Sequence, residues 1–263
     1  MRIAAGVEYD GSGFAGWQVQ REGRTVQACV EQALGRVADH PVQVVCAGRT
    51  DAGVHATGQV IHFDTEAARS DRSWVLGANT HLPGDVCLTW ARPVPEDFHA
   101  RFSARARRYR YVILDRWVRP ALLRGRATWC HYPLDVERMQ MATRHLLGEH
   151  DFSTFRALGC QAKSPVRTIH EIAVTREGEF VYLDVRANAF LHHMVRNIAG
   201  VLLAVGKGEQ APDWVPELLA HRDRTKGGVT APPDGLYFVQ VYYEASFDIP
   251  AGRVPLHVPV LDR

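Results

Sequence analysis

Two hydrophobic periods alternate along this chain, one of two residues and one of about 3.6, and the alternation runs through twice, which restricts the fold to mixed α+β architectures. Residues 2–9 place Ile3, Ala5, Val7 and Tyr9 on one side, the pattern of a half-buried strand. After a Gly-rich loop, Asp10 to Gly16, the period lengthens: from Thr25, an expected N-cap, Val26, Cys29, Val30, Ala33, Leu34 and Val37 recur at helical spacing up to Asp39. A strand over Val42–Ala47, a polar loop over Gly48–Thr57, a strand over Gln59–Phe63, a helix over Ser73–Asn79 and a strand over Val86–Pro93 complete a βαββ-type half.

The second half repeats the mixture. A strand is expected over Arg107–Leu114 and a helix over Val136–Leu147 with Met139, Ala142, Leu146 and Leu147 inward. Arg167–Thr175 and Phe180–Ala187 read as a β-hairpin turning at Glu177-Gly178. Phe190–Val205 reads as an apolar helix stopped by Gly206, and Leu236–Tyr243 as a last strand. The expected organisation is therefore two similar βαββ-type halves, residues 1–104 and 105–246, with antiparallel or mixed sheets and helices packed on one face. Beyond them lies an extended tail, 247–263, carrying Pro250, Pro255 and Pro259.

Composition narrows the setting. With 263 residues, 46% of them hydrophobic, the chain can bury substantial cores. Its apolar stretches, such as Ile198 to Val205, fall far short of the roughly 20 residues of a bilayer span, and the first residues lack a secretory signal pattern, so a cytoplasmic location is expected. Five cysteines without CxxC spacing argue against a disulfide framework and a structural zinc site.

A net charge of +2 conceals a local asymmetry. Between Arg101 and Arg126 stand nine arginines against one acid, Asp115, with Tyr109, Tyr111 and Trp117 interleaved. Such a strip suits a polyanion with stackable bases, and a solvated strand face is the alternative. In the loop after the third expected element, Arg49 and Asp51 share one strand parity, and Gly48, Gly53 and Gly58 permit close backbone approach. A carboxylate beside an arginine is favoured in its charged form, fit to act as nucleophile or base. A turn-forming Asp is the competing reading of the same residue. Tyr109 and Tyr111 share a strand face with Ile113 and could be core aromatics, whereas Arg196, in an otherwise apolar helix, needs an anionic partner. His192-His193 does not read as a metal site, because adjacent helical residues diverge and no third ligand has suitable spacing.

The run Ala47-Gly48-Arg49-Thr50-Asp51-Ala52-Gly53-Val54-His55-Ala56-Thr57-Gly58-Gln59-Val60 resembles the signature of the tRNA pseudouridine synthase A family. Further blocks agree in order: Tyr9 to Gln20, Asp97 to Ala104, Arg108-Tyr109-Arg110-Tyr111, Asn188 to Asn197 and Gly235-Leu236-Tyr237. The resemblance implies the pseudouridine synthase fold and an isomerase that needs no cofactor. It further implies a homodimer, one tRNA touching both subunits, and action on uridines 38, 39 and 40 of the anticodon stem-loop. By position, Asp51 matches the catalytic aspartate, Arg49 the arginine that fills the space left by the flipped uridine, Tyr109 the tyrosine against the flipped base, and Arg196 the arginine paired with the aspartate. Phe98, His99, Ala100, Arg101 and Phe102, and likewise Gly159, Cys160, Gln161, Ala162 and Lys163, match segments that contact tRNA. Two other classes remain open on the residues alone: a noncatalytic RNA-binding module, and a hydrolase that adds a second carboxylate to Asp51.

Overall fold

The computed structural model describes residues 1–252. In chain order its elements are β1 (Arg2–Tyr9), α1 (Val26–Ala38), β2 (Val45–Cys46), β3 (His55–Asp64), α2 (Asp71–His81), β4 (Val86–Val94), β5 (Ala106–Asp115) and β6 (Thr128–Cys130). They continue with α3 (Val136–Thr143), β7 (Gly148–Asp151), β8 (Val166–Glu177), β9 (Phe180–Ala187), α4 (Met194–Gly206), α5 (Trp214–His221) and β10 (Leu236–Tyr242). The class is α+β, as the periodicities require. No helix among the described residues is long and apolar enough to cross a membrane. By contacts the chain divides into two compact units, residues 1–106 with 237–252, and residues 107–236.

In the first unit the strand order is β4-β1-β3-β10, with β2 also on β3. β1 pairs antiparallel with β3 (Ile3↔Phe63) and with β4 (Ile3↔Pro93), so its residues lie between two neighbours and Ile3, Ala4 and Ala5 are fully buried. α1 and α2 pack together, Trp74 of α2 meets Phe63 edge-on at 5.2 Å, and the Asn79 side chain both donates to and accepts from the Leu88 backbone of β4. Thr25 is the N-cap of α1 by its backbone, without a side-chain capping bond.

Two expectations change here. The strand over Val42–Ala47 shrinks to Val45–Cys46, because Val44 N–H donates to the Glu31 side chain of α1 rather than to a strand. β3 begins at His55 instead of Gln59 and carries Gly58 inside it, where any Cβ would overlap the Val239 carbonyl of β10. That parallel pairing (Tyr237↔His55, Phe238↔Ala56) is why residues from 237 group with the first unit, whereas the sequence division placed them in the second half. Of the tail, Phe247 packs edge-on against Phe98 at 5.2 Å and Asp248 pairs with Arg92 at 2.7 Å, while residues 253–263, with Pro255 and Pro259, lie outside the described residues.

In the second unit the order is β5-β9-β8-β7, with β6 parallel to β5. The β8–β9 hairpin closes at Gly178, whose φ of +57° is left-handed, as the Glu177-Gly178 turn requires. α3 packs on α4 and β8. The helix expected to reach Leu147 stops at Thr143 and tightens into a 3-10 turn, Arg144–Leu146, before Gly148 turns with φ +92° into β7. Gly206 is the last residue of α4 rather than its left-handed terminator; a Cβ there would press on Met139 of α3, and Gly208 supplies the positive φ. β6, β7 and α5 were not anticipated.

Candidate active site

The Asp51 loop in the first unit is held from both sides. Gln59, fully buried on β3, donates through its amide to Gly48 O at 2.6 Å and accepts from Gly48 N–H at 3.4 Å. Thr50 points inward: its hydroxyl shares a 2.8 Å hydrogen bond with Tyr9, and its carbonyl accepts from Trp17 N–H at 3.0 Å. Asp51 O accepts from Val54 N–H, and Gly53, with φ +78°, donates to Phe14 O. The Gly-rich segment after β1 thus wraps the loop. Gly11 approaches Val54 so closely that a Cβ would overlap its carbonyl, and Gly11 N–H reaches His55 Nδ1 at 3.0 Å. His55 stacks on Tyr237 at 4.6 Å and lies 3.2 Å from the Asp10 carboxylate. With Thr50 anchored inside, its neighbours turn outward: Arg49 is exposed and Asp51 half-buried. The nearby Cys46 thiol, pushed up to about 12 chiefly by burial, is no nucleophile.

Of the turn after β4, Phe98 and Ala100 are core residues, His99 is half-buried, and only Arg101 and Phe102 reach solvent, Phe102 at 75% exposure. The five expected contact residues therefore divide into three that build the turn and two that face outward.

The second unit holds the other expected residues. Tyr109 of β5, opposite Val185, meets Phe190 edge-on at 4.9 Å with the rings 80° apart. Tyr111 is the structural one of the pair. It is fully buried, its hydroxyl donates to Pro232 O at 2.8 Å and lies 2.6 Å from Thr128 Oγ1, and burial raises its phenol well above the usual range. Arg196 of α4 is half-buried and donates from Nε to Ala231 O at 2.9 Å, while Arg196 O accepts from Ala231 N–H.

His192 and Arg196 are not one helical turn apart on a common face, because α4 starts only at Met194. His193 at its N-cap is left-handed (φ +60°), which breaks the expected helix from Phe190. The same kink brings the His192 and His193 rings to 4.0 Å, so they do not diverge as helical neighbours would. In the 159–163 segment, Arg156 ties the Cys160 and Ala162 carbonyls at 2.6 and 2.8 Å, leaving Gln161 and Lys163 exposed. Burial opposes ionisation of Cys160, but the His192 and Ala162 N–H groups and Arg156 outweigh it and hold the thiol below its ordinary value.

The arginine strip is partly neutralised by acids distant in sequence. Arg108 and Arg110 both meet Asp184, at 3.4 and 2.8 Å; Arg116 meets Glu179 at 3.5 Å, and Arg105 pairs with Glu244. Arg101, Arg119, Arg124 and Arg126 are exposed, as is Trp117 at 84%.

Comparison with known proteins shows which family the chain belongs to. Residues 5–103 and 142–244 match the family model for tRNA pseudouridine synthase, one stretch in each half of the chain. A tRNA pseudouridine synthase A from Methylococcus capsulatus is 63% identical over 259 residues, 98% of this chain and 96% of that protein. Its counterpart from Nitrosococcus oceani is 59% identical over 98% of this chain and all of its own length, and that from Coxiella burnetii 57% over 97% of each. The chain belongs to the tRNA pseudouridine synthase family.

Members of this family isomerise uridine to pseudouridine in tRNA, so the synthase is an isomerase and its partner is tRNA. The supports of the Asp51 loop escaped the sequence reading. Tyr9, Thr50, His55 and Gln59 carry polar atoms at buried positions; for Tyr9, His55 and Gln59 the one available signal was their parity with apolar neighbours in β1 and β3, and Thr50, in the loop, had none. Tyr109 falls between the two matched stretches of the family model, within the span covered by the relatives.

Proposed function

We propose that this synthase converts uridines 38, 39 and 40 on the 3′ side of the anticodon stem-loop to pseudouridine, with Asp51 as catalytic carboxylate. The observation that carries the reading is the braced loop in which buried Thr50 turns Arg49 and Asp51 outward. The reaction needs no oxidant, metal or water: the N1–C1′ bond breaks, the base turns, a C5–C1′ bond forms, and the proton lost from C5 is balanced by one gained at N1. An ionised Asp51 acts either by attack on the sugar or by removal of a sugar proton. Arg49 occupies the space of the flipped uridine, Tyr109 offers its ring to the uracil, and Arg196 is the cation that the family resemblance assigns to the aspartate. Arg101, Phe102, Gln161 and Lys163 contact the RNA by shape and charge. The working form is a cytoplasmic homodimer that binds one tRNA across both subunits without a cofactor.

The test is to incubate the purified protein with unmodified tRNA and map pseudouridine by carbodiimide-dependent primer extension and mass spectrometry. New pseudouridine at 38–40 supports the proposal. Binding without new pseudouridine would reduce the protein to an RNA-binding module, and free uracil with abasic RNA would make it a hydrolase.

A further inference from the structure

The turn 98–103 of the first unit is hydrogen-bonded with unusual completeness for a surface segment. Ala100 N–H donates to His62 Nδ1 at 3.1 Å, and Arg101 and Phe102 N–H both donate to His99 Nδ1 at 3.2 Å. His99 N–H donates to Ser103 Oγ and Ser103 N–H to His99 O, each at 2.9 Å. Arg2 donates to Phe98 O at 2.9 Å, and the Tyr243 hydroxyl to Ala100 O at 2.7 Å. Three consecutive N–H groups thus end on imidazole nitrogens. Each of those nitrogens accepts only while it carries no proton.

The surroundings keep it so. His62, on β3 and 4% exposed, is flanked by Arg2 on β1 and by His99 and Phe98 of the turn, with Asp64 two residues along its own strand. Burial first, then Arg2 and His99, lower its pKa to about 4 against the opposing pull of Asp64. His99 is lowered as well, again chiefly by burial. Both rings are therefore neutral acceptors at neutral pH.

The backbone is fixed while two side chains are put out into water. His99 stacks on Phe102 at 4.3 Å with 28° between rings, and the Arg101 guanidinium lies over the Phe102 ring, 5.5 Å from its centroid. A mostly exposed phenylalanine backed by a second ring offers a stacking surface to a nucleobase, and the Arg101 side chain lying over it is long enough to swing to the nucleotide's phosphate.

We infer that His62 and His99 are positioning residues for RNA binding: as hydrogen-bond acceptors they pin the turn so that Phe102 presents a stacking surface and Arg101 a phosphate contact. The inference rests on the reading of this turn as a tRNA contact. It assigns the task to the acceptor nitrogens rather than to ring bulk, and it confines the effect to binding, away from the chemical step.

The experiment measures kcat and KM for unmodified tRNA, with melting temperature, in His62→Ala, His62→Asn, His99→Ala, His99→Asn and the double variant Arg101→Ala/Phe102→Ala. The Asn Oδ1 can stand where Nδ1 stands. Each Ala variant is expected to raise KM about five- to tenfold, the scale of the one hydrogen bond lost with His62 or the two longer ones lost with His99, with kcat within about twofold. Each Asn variant should return KM to within about twofold of the parent. If His62→Ala does not fold, the more exposed His99 pair decides the matter alone. Unchanged KM in folded Ala variants, equal impairment of Ala and Asn variants, or a fall in kcat equal to the rise in KM each overturns the inference, provided the double variant raises KM. If the double variant leaves KM unchanged, the reading of the turn as a tRNA contact is what fails, and the inference falls with it.

Discussion

The Tyr9 hydroxyl and Thr50 Oγ1 share a buried 2.8 Å hydrogen bond, which ties the end of the first strand to the residue between Arg49 and Asp51. The loop of the proposed catalytic Asp51 is therefore braced by a side chain to which the proposal gives no chemical role. Thr50→Val, close in shape but without the hydroxyl, removes this bond and should lower kcat about tenfold, equivalent to about 1.4 kcal/mol, with KM for tRNA nearly unchanged. Single-turnover rates of pseudouridine formation read this. A change in KM alone would mean that the bond serves binding instead.

Gly58 carries a packing demand that its neighbours do not. Its missing Cβ is the space taken by the Val239 carbonyl, so Gly58→Ala should cost about 2 kcal/mol or more, seen as a lower midpoint in urea or thermal melts. Gly84→Ala, where a Cβ meets open space, is the control and should melt like the parent.

Acid should weaken the first unit through His62. Its folded pKa, about 4, lies below the 6.5 of an unperturbed histidine, so between those values the unfolded chain binds more protons than the folded one. The contribution is complete above pH 6.5 and is lost as pH falls toward 4, on the order of 2 kcal/mol over that window. Urea melts at pH 4.5, 5.5, 6.5 and 7.5 test it; His62→Asn should flatten the difference, and an equal slope in that variant would contradict the assignment.

Salt should weaken tRNA binding steeply, and the exposed arginines should carry that dependence. Arg124→Ala removes a solvent-exposed cation and should reduce the slope of log K against log salt by about one. Arg110→Ala removes the nearer of the two arginine partners of Asp184 and should instead lower the melting temperature, with little effect on the slope. Equal slopes in the two variants would undo the distinction between acid-paired and solvent-exposed arginines.

How much of this was legible in the sequence depended on the range of the forces involved. Helix α1 and the hairpin at Gly178 are local affairs of periodicity and turn chemistry, and both stand close to where the pattern put them. The start of α4 was missed because His193 adopts a left-handed backbone that nothing in Phe190 to Arg196 announces. The arginine strip read as a uniform polyanion surface because Asp184, Glu179 and Glu244 lie some 60 to 140 residues from the arginines they neutralise. Tyr109 and Tyr111 were equivalent by parity. Both rings are buried, and it is the bond of the Tyr111 hydroxyl to Pro232, 121 residues away, against the packing of Tyr109 on Phe190, that marks Tyr111 as the structural ring.

The most direct test of the central claim is pseudouridine formation by Asp51→Asn on unmodified tRNA, measured beside its tRNA affinity. The carboxylate is assigned to the chemistry and the arginines to binding, so the variant should form no detectable pseudouridine while its Kd stays within about twofold of the parent. Pseudouridine formed at the parental rate, or affinity lost in proportion to activity, would contradict the account.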